Sequence, residues 1–168
     1  MSDWRIDVDT SPVDALLSQL ARKLADLSGP MDAIGLLVSE SVRDNFKRGA
    51  GPDGAAWKKS RRAVEQNGQT LVDTGLLRSS ITHQGGEDFV VIGTNLPYAA
   101  VHQFGGRTQP RVIRARNGKT LAFTIGGRTI FRRSVNHPGS VIPARPFLGV
   151  RGEDWPEIEA ILTAYLED

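Results

Sequence analysis

Cysteine is absent from the 168-residue chain. Its absence excludes a disulfide scaffold, a thiolate metal site and a cysteine nucleophile. It suits a protein made and used in a reducing cytosol. Histidine is scarce, with His83, His102 and His137 alone. None of the three sits in an HxH, HExxH or Cys/His pattern, so neither a zinc site nor any other cofactor is expected. No apolar run approaches the roughly 18 residues of a membrane span. Met1-Ser2-Asp3-Trp4 lacks the basic start and apolar stretch of a signal peptide. A soluble, cytoplasmic protein without membrane contact is expected. Acidic residues are missing altogether from residues 107–152, and that absence has the largest consequence.

The formal net charge is only +2, but its distribution is uneven. Residues 1–40 carry three bases and seven acids, and residues 41–63 carry seven bases and two acids. Residues 64–106 carry one base and four acids. Residues 107–152 then carry ten bases and no acid, and residues 153–168 carry six acids and no base. A chain with acidic ends and a strongly basic late-middle segment is organised to meet a partner. Hydrophobic residues make up 39%, too many for a wholly disordered chain. The length suits a single domain, within the prior of roughly 100–200 residues.

Apolar spacing predicts an amphipathic helix over 11–28, through Val13, Leu16, Leu17, Leu20, Leu24 and Leu27. Ser11 is its candidate cap and Pro12 its first helical residue. Gly29-Pro30 should end it. A second helix is expected from Met31 to Arg48, with Ile34, Val38, Val42 and Phe46 on its core side. Residues 49–70 have no clear period and read as a flexible loop. Asp73-Thr74-Gly75 should open a short helix. Strand patterning begins near residue 82, with hairpins expected at 81–93 and at 121–135, the second turning at Gly126-Gly127. A short helix, Tyr98–Phe104, lies between them. Asp154 should start a C-terminal helix. The fold expected is α+β: N-terminal helices (1–48) and a C-terminal helix (152–168) packed on a central antiparallel sheet within an α+β core (71–151) carrying a long basic hairpin.

Catalytic constellations are weak. Ser79, Ser80, His102 and Asp73 could be imagined as a triad, but no Gly-x-Ser-x-Gly elbow supports one. The paired glycines lack the Walker lysine and the dinucleotide-fold spacing. No enzymatic activity and no small-molecule substrate are expected, and a hydrolase is the weakest reading. The basic segment is the sharper signal: Arg107, Arg111, Arg114, Arg116, Lys119, Arg128, Arg132, Arg133, Arg145 and Arg151. Arginine favours bidentate contact with carboxylate or phosphate. Two partners fit, the acidic surface of another protein subunit or a nucleic-acid backbone held without base readout. A solvated hairpin with charged edges is the bland alternative. Without a recognised nucleic-acid motif, protein contact ranks above DNA.

Four stretches follow one another in a specific order. They are Pro52-Asp53-Gly54-x-x-Trp57; Leu71-x-Asp73-Thr74-Gly75-x-Leu77-Arg78-x-Ser80-Ile81; Gly93-Thr94-Asn95-x-x-Tyr98-Ala99-x-x-His102-x-Phe104-Gly105-Gly106; and Ile142-Pro143-Ala144-Arg145-Pro146-Phe147-Leu148-Gly149. Together they resemble the phage virion morphogenesis (tail completion) family of Mu-like phages and prophages, over about residues 15–165. The resemblance implies a small structural protein without catalytic residues, acting late in virion assembly at the head-proximal end of the tail or in the neck. It implies a homo-oligomer, often a ring of six, that contacts other tail and neck proteins. Such a protein would be found in the host cytoplasm during assembly and then in the virion tail or neck. DNA held at the head–tail junction by residues 107–152 is the alternative. Within this reading Trp57 anchors its segment after the turn at Asp53-Gly54, and Asp73 or Thr74 caps a helix entered at Gly75. Leu77 faces the core and Arg78 is set to meet a carboxylate. Tyr98, Ala99, His102 and Phe104 share one short helix closed by Gly105. Arg145 and Pro146 lead to Phe147, which plugs an apolar pocket.

Overall fold

A computed structural model describes residues 9–116 and 119–167 of the chain. The first eight residues, counted above with the N-terminal helices, lie outside the described residues. So do Asn117 and Gly118 of the basic segment and Asp168 of the terminal helix. Among the described residues six α-helices and eight strands follow in order: α1 (Ser11–Ala25), α2 (Ser28–Arg48), α3 (Arg61–Glu65), α4 (Leu76–Ser79), β1 (Thr82–Gly85), β2 (Val90–Gly93), α5 (Ala99–Phe104), β3 (Gly106–Arg107), β4 (Arg111–Arg114), β5 (Leu121–Ile125), β6 (Arg128–Arg132), β7 (Ser134–His137), β8 (Val141–Ile142) and α6 (Trp155–Glu167). The class is α+β, as the sequence pattern implies. The strands, however, form four separate antiparallel pairs, β1–β2, β3–β8, β4–β7 and β5–β6, in place of one central sheet. Periodicity specifies strands but not which strands become neighbours. Where the sequence suggests one domain, the residues gather into two compact units, the second being Pro97–Pro146.

The first unit is built on α2. Ile34, Val38, Val42 and Phe46 recur every four positions and are all buried, which is the apolar stripe that a core-facing helix needs. Phe46 meets Trp57 edge-on at 5.6 Å and Phe147 at 5.2 Å. Leu77, Ile81 and Ile158 complete this core. α2 packs against β1, β2, α4 and α6. Gly29-Pro30 does not end the first helix as expected. The break falls at Asp26-Leu27, and Pro30 sits in the first turn of α2, where a missing N–H costs nothing. α1 buries none of its residues. Its C-terminal end is tied to α6 by Lys23 Nζ, which donates to the Tyr165 carbonyl at 3.0 Å, and by the Tyr165 hydroxyl, which donates to the Asp26 carbonyl at 2.9 Å.

Residues 49–70 hold more structure than their lack of period suggests. Ser60 caps α3 by accepting from the Ala63 N–H. The Arg62 guanidinium donates to the carbonyls of Gln69 and Val72 at 2.6 and 3.0 Å. These are side-chain-to-backbone bonds, which leave no hydrophobic rhythm to read.

In the second unit β6 leads directly into β7, so the β5–β6 and β4–β7 ladders follow one another along that side of a two-stranded ribbon. The Ala115 N–H bonds the Arg133 carbonyl at 3.0 Å where the two ladders join. The ribbon turns at Gly126-Gly127, both with left-handed φ (57° and 78°), as a two-residue hairpin turn requires.

Candidate functional site

The four motifs have unequal structural roles. The Asp53 carboxylate accepts from the Ala55 N–H at 3.0 Å, and Gly54 carries the turn at φ 78°. The Trp57 N–H then donates to the Gly49 carbonyl at 2.8 Å, setting the indole against Phe46. Thr74, not Asp73, meets the start of α4, accepting from the Leu76 N–H at 3.3 Å. Asp73 instead pairs with Arg62 at 3.4 Å. Gly75 occupies the cap position and Leu77 is buried. Arg78, expected to meet a carboxylate, is half-buried and pairs with none among the described residues. The Ser80 hydroxyl shares a hydrogen bond with Thr94 Oγ1 at 2.7 Å. Phe147 is fully buried, and its carbonyl accepts from Asn45 Nδ2 at 3.1 Å.

The third motif forms α5 in the second unit. Tyr98 stacks edge-on with His102 at 6.1 Å, Ala99 is buried, and Phe104 projects outward, 78% exposed. The Arg145 N–H donates to the His102 carbonyl at 2.7 Å. Burial, and secondarily the Arg145 charge, holds the His102 imidazole below its ordinary pKa. Its Nδ1 is buried with no hydrogen-bond partner among the described residues. Burial likewise lowers the Arg145 pKa. Gly105 closes the helix with φ 75°, and a Cβ there would lie 2.9 Å from the Ala144 backbone nitrogen. Pro146 is exposed and ends this unit.

One constellation has the outline of a catalytic relay that sequence reasoning missed. Ser39 Oγ lies 3.4 Å from His83 Nδ1, and His83 Nε2 lies 3.1 Å from Asp32 Oδ1. Its burial is inverted for catalysis. Ser39 is completely inaccessible while the Asp32 side chain is 73% exposed. A nucleophile must reach substrate, and its orienting carboxylate is normally shielded. The trio fastens α2 to β1. Among the described residues no group of three or more His, Asp or Glu could hold a metal ion, and no helix is long and apolar enough to cross a membrane.

The feature with outward reach is the charge of the second unit. Residues 97–146 contain nine Lys and Arg and not one Asp or Glu. Arg107, Arg111, Arg114, Arg116, Lys119, Arg128, Arg132 and Arg133 are all exposed, while Arg145 is buried. Arg151 belongs to the first unit, where its guanidinium meets Asp154 Oδ1 at 3.1 Å, so it drops out of the basic surface. On the β5–β6 ladder the cross-strand partners are Leu121 with Arg132, Phe123 with Ile130 and Ile125 with Arg128. Directly opposed residues share a face. One face therefore presents Leu121, Phe123, Ile125 and Ile130 with an arginine at each end, and Ile125 is more than half exposed.

Comparison with known proteins supplies the setting. Residues 8–167 match the model of the phage virion morphogenesis family. The chain is 32% identical over 155 residues to the Mu-like prophage FluMu G protein 2 of Haemophilus influenzae, covering 92% of this chain and 89% of that protein. It is 34% identical over 113 residues to protein G of Escherichia phage Mu, named provisionally for capsid assembly, covering 62% of this chain and 72% of that one. No solved structure matches.

Proposed function

Since the chain belongs to the phage virion morphogenesis family, a structural part in making the virion is its general role, and we propose that it completes or terminates the tail and prepares head–tail joining as a ring of identical subunits. The observation that carries this reading is the segregation of charge. A compact unit with nine cations and no anion cannot neutralise itself, and the same chain ends in a block of six acids without a base. Repeating subunits around an axis would bring one block to the other, provided the rotation closes. No catalytic chemistry is needed. The role makes the protein a component of the tail–neck region that assembles with other tail and neck proteins.

Electron microscopy of particles made without the protein tests the reading. Tails of uncontrolled length, or finished tails separate from filled heads, are the expected phenotype. Normal joined virions would sink it. The exposed cations of the ribbon favour a second reading, in which it holds DNA at the head–tail junction. That reading predicts duplex affinity falling with salt at a log–log slope of about −0.9 per neutralised phosphate.

A further inference from the structure

We propose that the two-stranded ribbon of the second unit lies in the major groove of duplex DNA, its arginines reaching the phosphates on both walls. This rests on the DNA-holding reading above and specifies the kind of nucleic acid, the groove and the residues that touch it. The exposed cations of the ribbon differ from those of the first unit. Arg43, Lys47, Arg48, Arg61, Arg62 and Arg151 each meet a carboxylate. The eight exposed cations between Arg107 and Arg133 pair with none among the described residues. Their charge is left for a partner.

These cations are spread over both faces of the ribbon. Successive residues of a strand point to opposite sides, so Arg111 and Arg114 of β4 stand on opposite faces of the β4–β7 ladder. Arg128 and Arg132 share one face of the β5–β6 ladder. No described residue from Arg107 to His137 is buried, so both faces are open. A flat acidic surface of a neighbouring subunit would reach only one of them. A groove with phosphates along each wall reaches both. Paired strands lie about 4.8 Å apart. The major groove, about 12 Å wide, admits such a ribbon, whereas the minor groove, about 6 Å wide, is too narrow unless the duplex is deformed. From Arg128 to His137 the ribbon runs about 30 Å at 3.4 Å per residue, close to one duplex turn of about 34 Å. The second face of β5–β6 carries Ala122, Thr124, Thr129 and Phe131, none of which grips a base edge bidentately. Recognition is therefore of phosphate and groove shape, with little sequence preference.

Fluorescence anisotropy of the full chain with a labelled duplex of about 20 base pairs, two helical turns, tests this. The association constant should fall with salt at a log–log slope no steeper than about −7, the limit for eight cations at −0.9 per phosphate. Arg111→Gln with Arg114→Gln, one from each face, should make the slope shallower by about 1.8 and weaken binding about sixtyfold at about 0.1 M salt. Arg128→Gln with Arg132→Gln should do the same from the other ladder. Arg22→Gln with Lys59→Gln removes equal charge from exposed positions of the first unit and should leave the slope unchanged. Circular dichroism checks that each variant is folded. A duplex whose cytosines carry glucosylated 5-hydroxymethyl groups has a filled major groove, and binding to it should be lost. Netropsin, which fills the minor groove of A·T tracts, should not compete. Equal affinity for the glucosylated duplex, displacement by netropsin or tighter binding to single strands overturns the groove placement and leaves the DNA-holding reading standing. Affinity lost with Arg22→Gln and Lys59→Gln but kept in both ribbon variants moves the site off the ribbon and overturns the proposal. No duplex binding at low salt overturns the proposal and the DNA-holding reading together. Self-association lost in the ribbon variants would then identify an acidic subunit surface as the occupant.

Discussion

The Asp154 carboxylate accepts the Ser41 hydroxyl at 2.6 Å, joining the middle of α2 to the start of α6 across 113 positions of chain. The same carboxylate accepts the Arg151 N–H at 2.8 Å and meets its guanidinium at 3.1 Å. Ser41 and Asp154 are both buried. One side chain therefore caps a helix, satisfies a hydroxyl and neutralises an arginine.

Removing it should be felt. Asp154→Asn or Ser41→Ala leaves a buried polar partner unsatisfied, at a cost of about 1–3 kcal/mol. Urea unfolding followed by circular dichroism measures this. The pH dependence has a definite sign. Burial pushes the Asp154 pKa up, but Ser41 and Arg151 together hold it below the ordinary 3.8. Its contribution is complete above pH 3.8 and is lost as pH falls through the lower folded value. Asp154→Asn should flatten that acid limb.

Phe147→Ala should cost about 3–5 kcal/mol, because the ring is fully buried against Phe46. Phe147→Leu should cost markedly less. Denaturant midpoints at constant m-value check the ranking.

His102 predicts a separate pH effect. An imidazole held below 6.5 by burial and by Arg145 disfavours protonation in the folded state. Its contribution is fully present above pH 6.5 and declines as pH falls through the folded pKa. Protection factors of the α5 amides, taken relative to the base-catalysed intrinsic rate at each pH, should fall from pH 7 to pH 5, and His102→Gln should remove that slope.

Gly105→Ala should destabilise by more than the roughly 1–2 kcal/mol of a left-handed backbone alone. The added Cβ also meets the Ala144 nitrogen at 2.9 Å. Thermal unfolding of this variant beside the unmodified protein measures the loss.

The core helix was legible because Ile34, Val38, Val42 and Phe46 repeat at the helical period. The turns at Gly54 and Gly126-Gly127 were legible because only a few residue types suit them. Other features carried no such mark. Gly35 reads as an ordinary residue within a helix, yet a Cβ there would lie 2.4 Å from the His83 ring. Its absence lets α2 approach β1. Ser39 and Asn45 sit on the buried side of α2 as polar residues, which an apolar pattern cannot announce. The basic segment stood out in composition, but only the register of β5 with β6 revealed that arginines bracket an apolar face. Arg151 reads as part of that segment because a charge run does not register where the chain turns back.

The first unit is discontinuous in sequence, since the fifty residues Pro97–Pro146 interrupt it before Phe147 returns to the core. That order matters while the chain is being made. Helix α2 leaves the ribosome early and can meet Trp57 soon after, but neither Phe147 nor Asp154 exists yet to complete its cover. Synthesis of the intervening stretch takes about 3–10 s at 5–20 residues per second. The contiguous Pro97–Pro146 unit can close in that interval, whereas the N-terminal part must wait. Folding of this chain is thus timed by its last residues, and a nascent chain stalled before Phe147 should remain open to protease along α2.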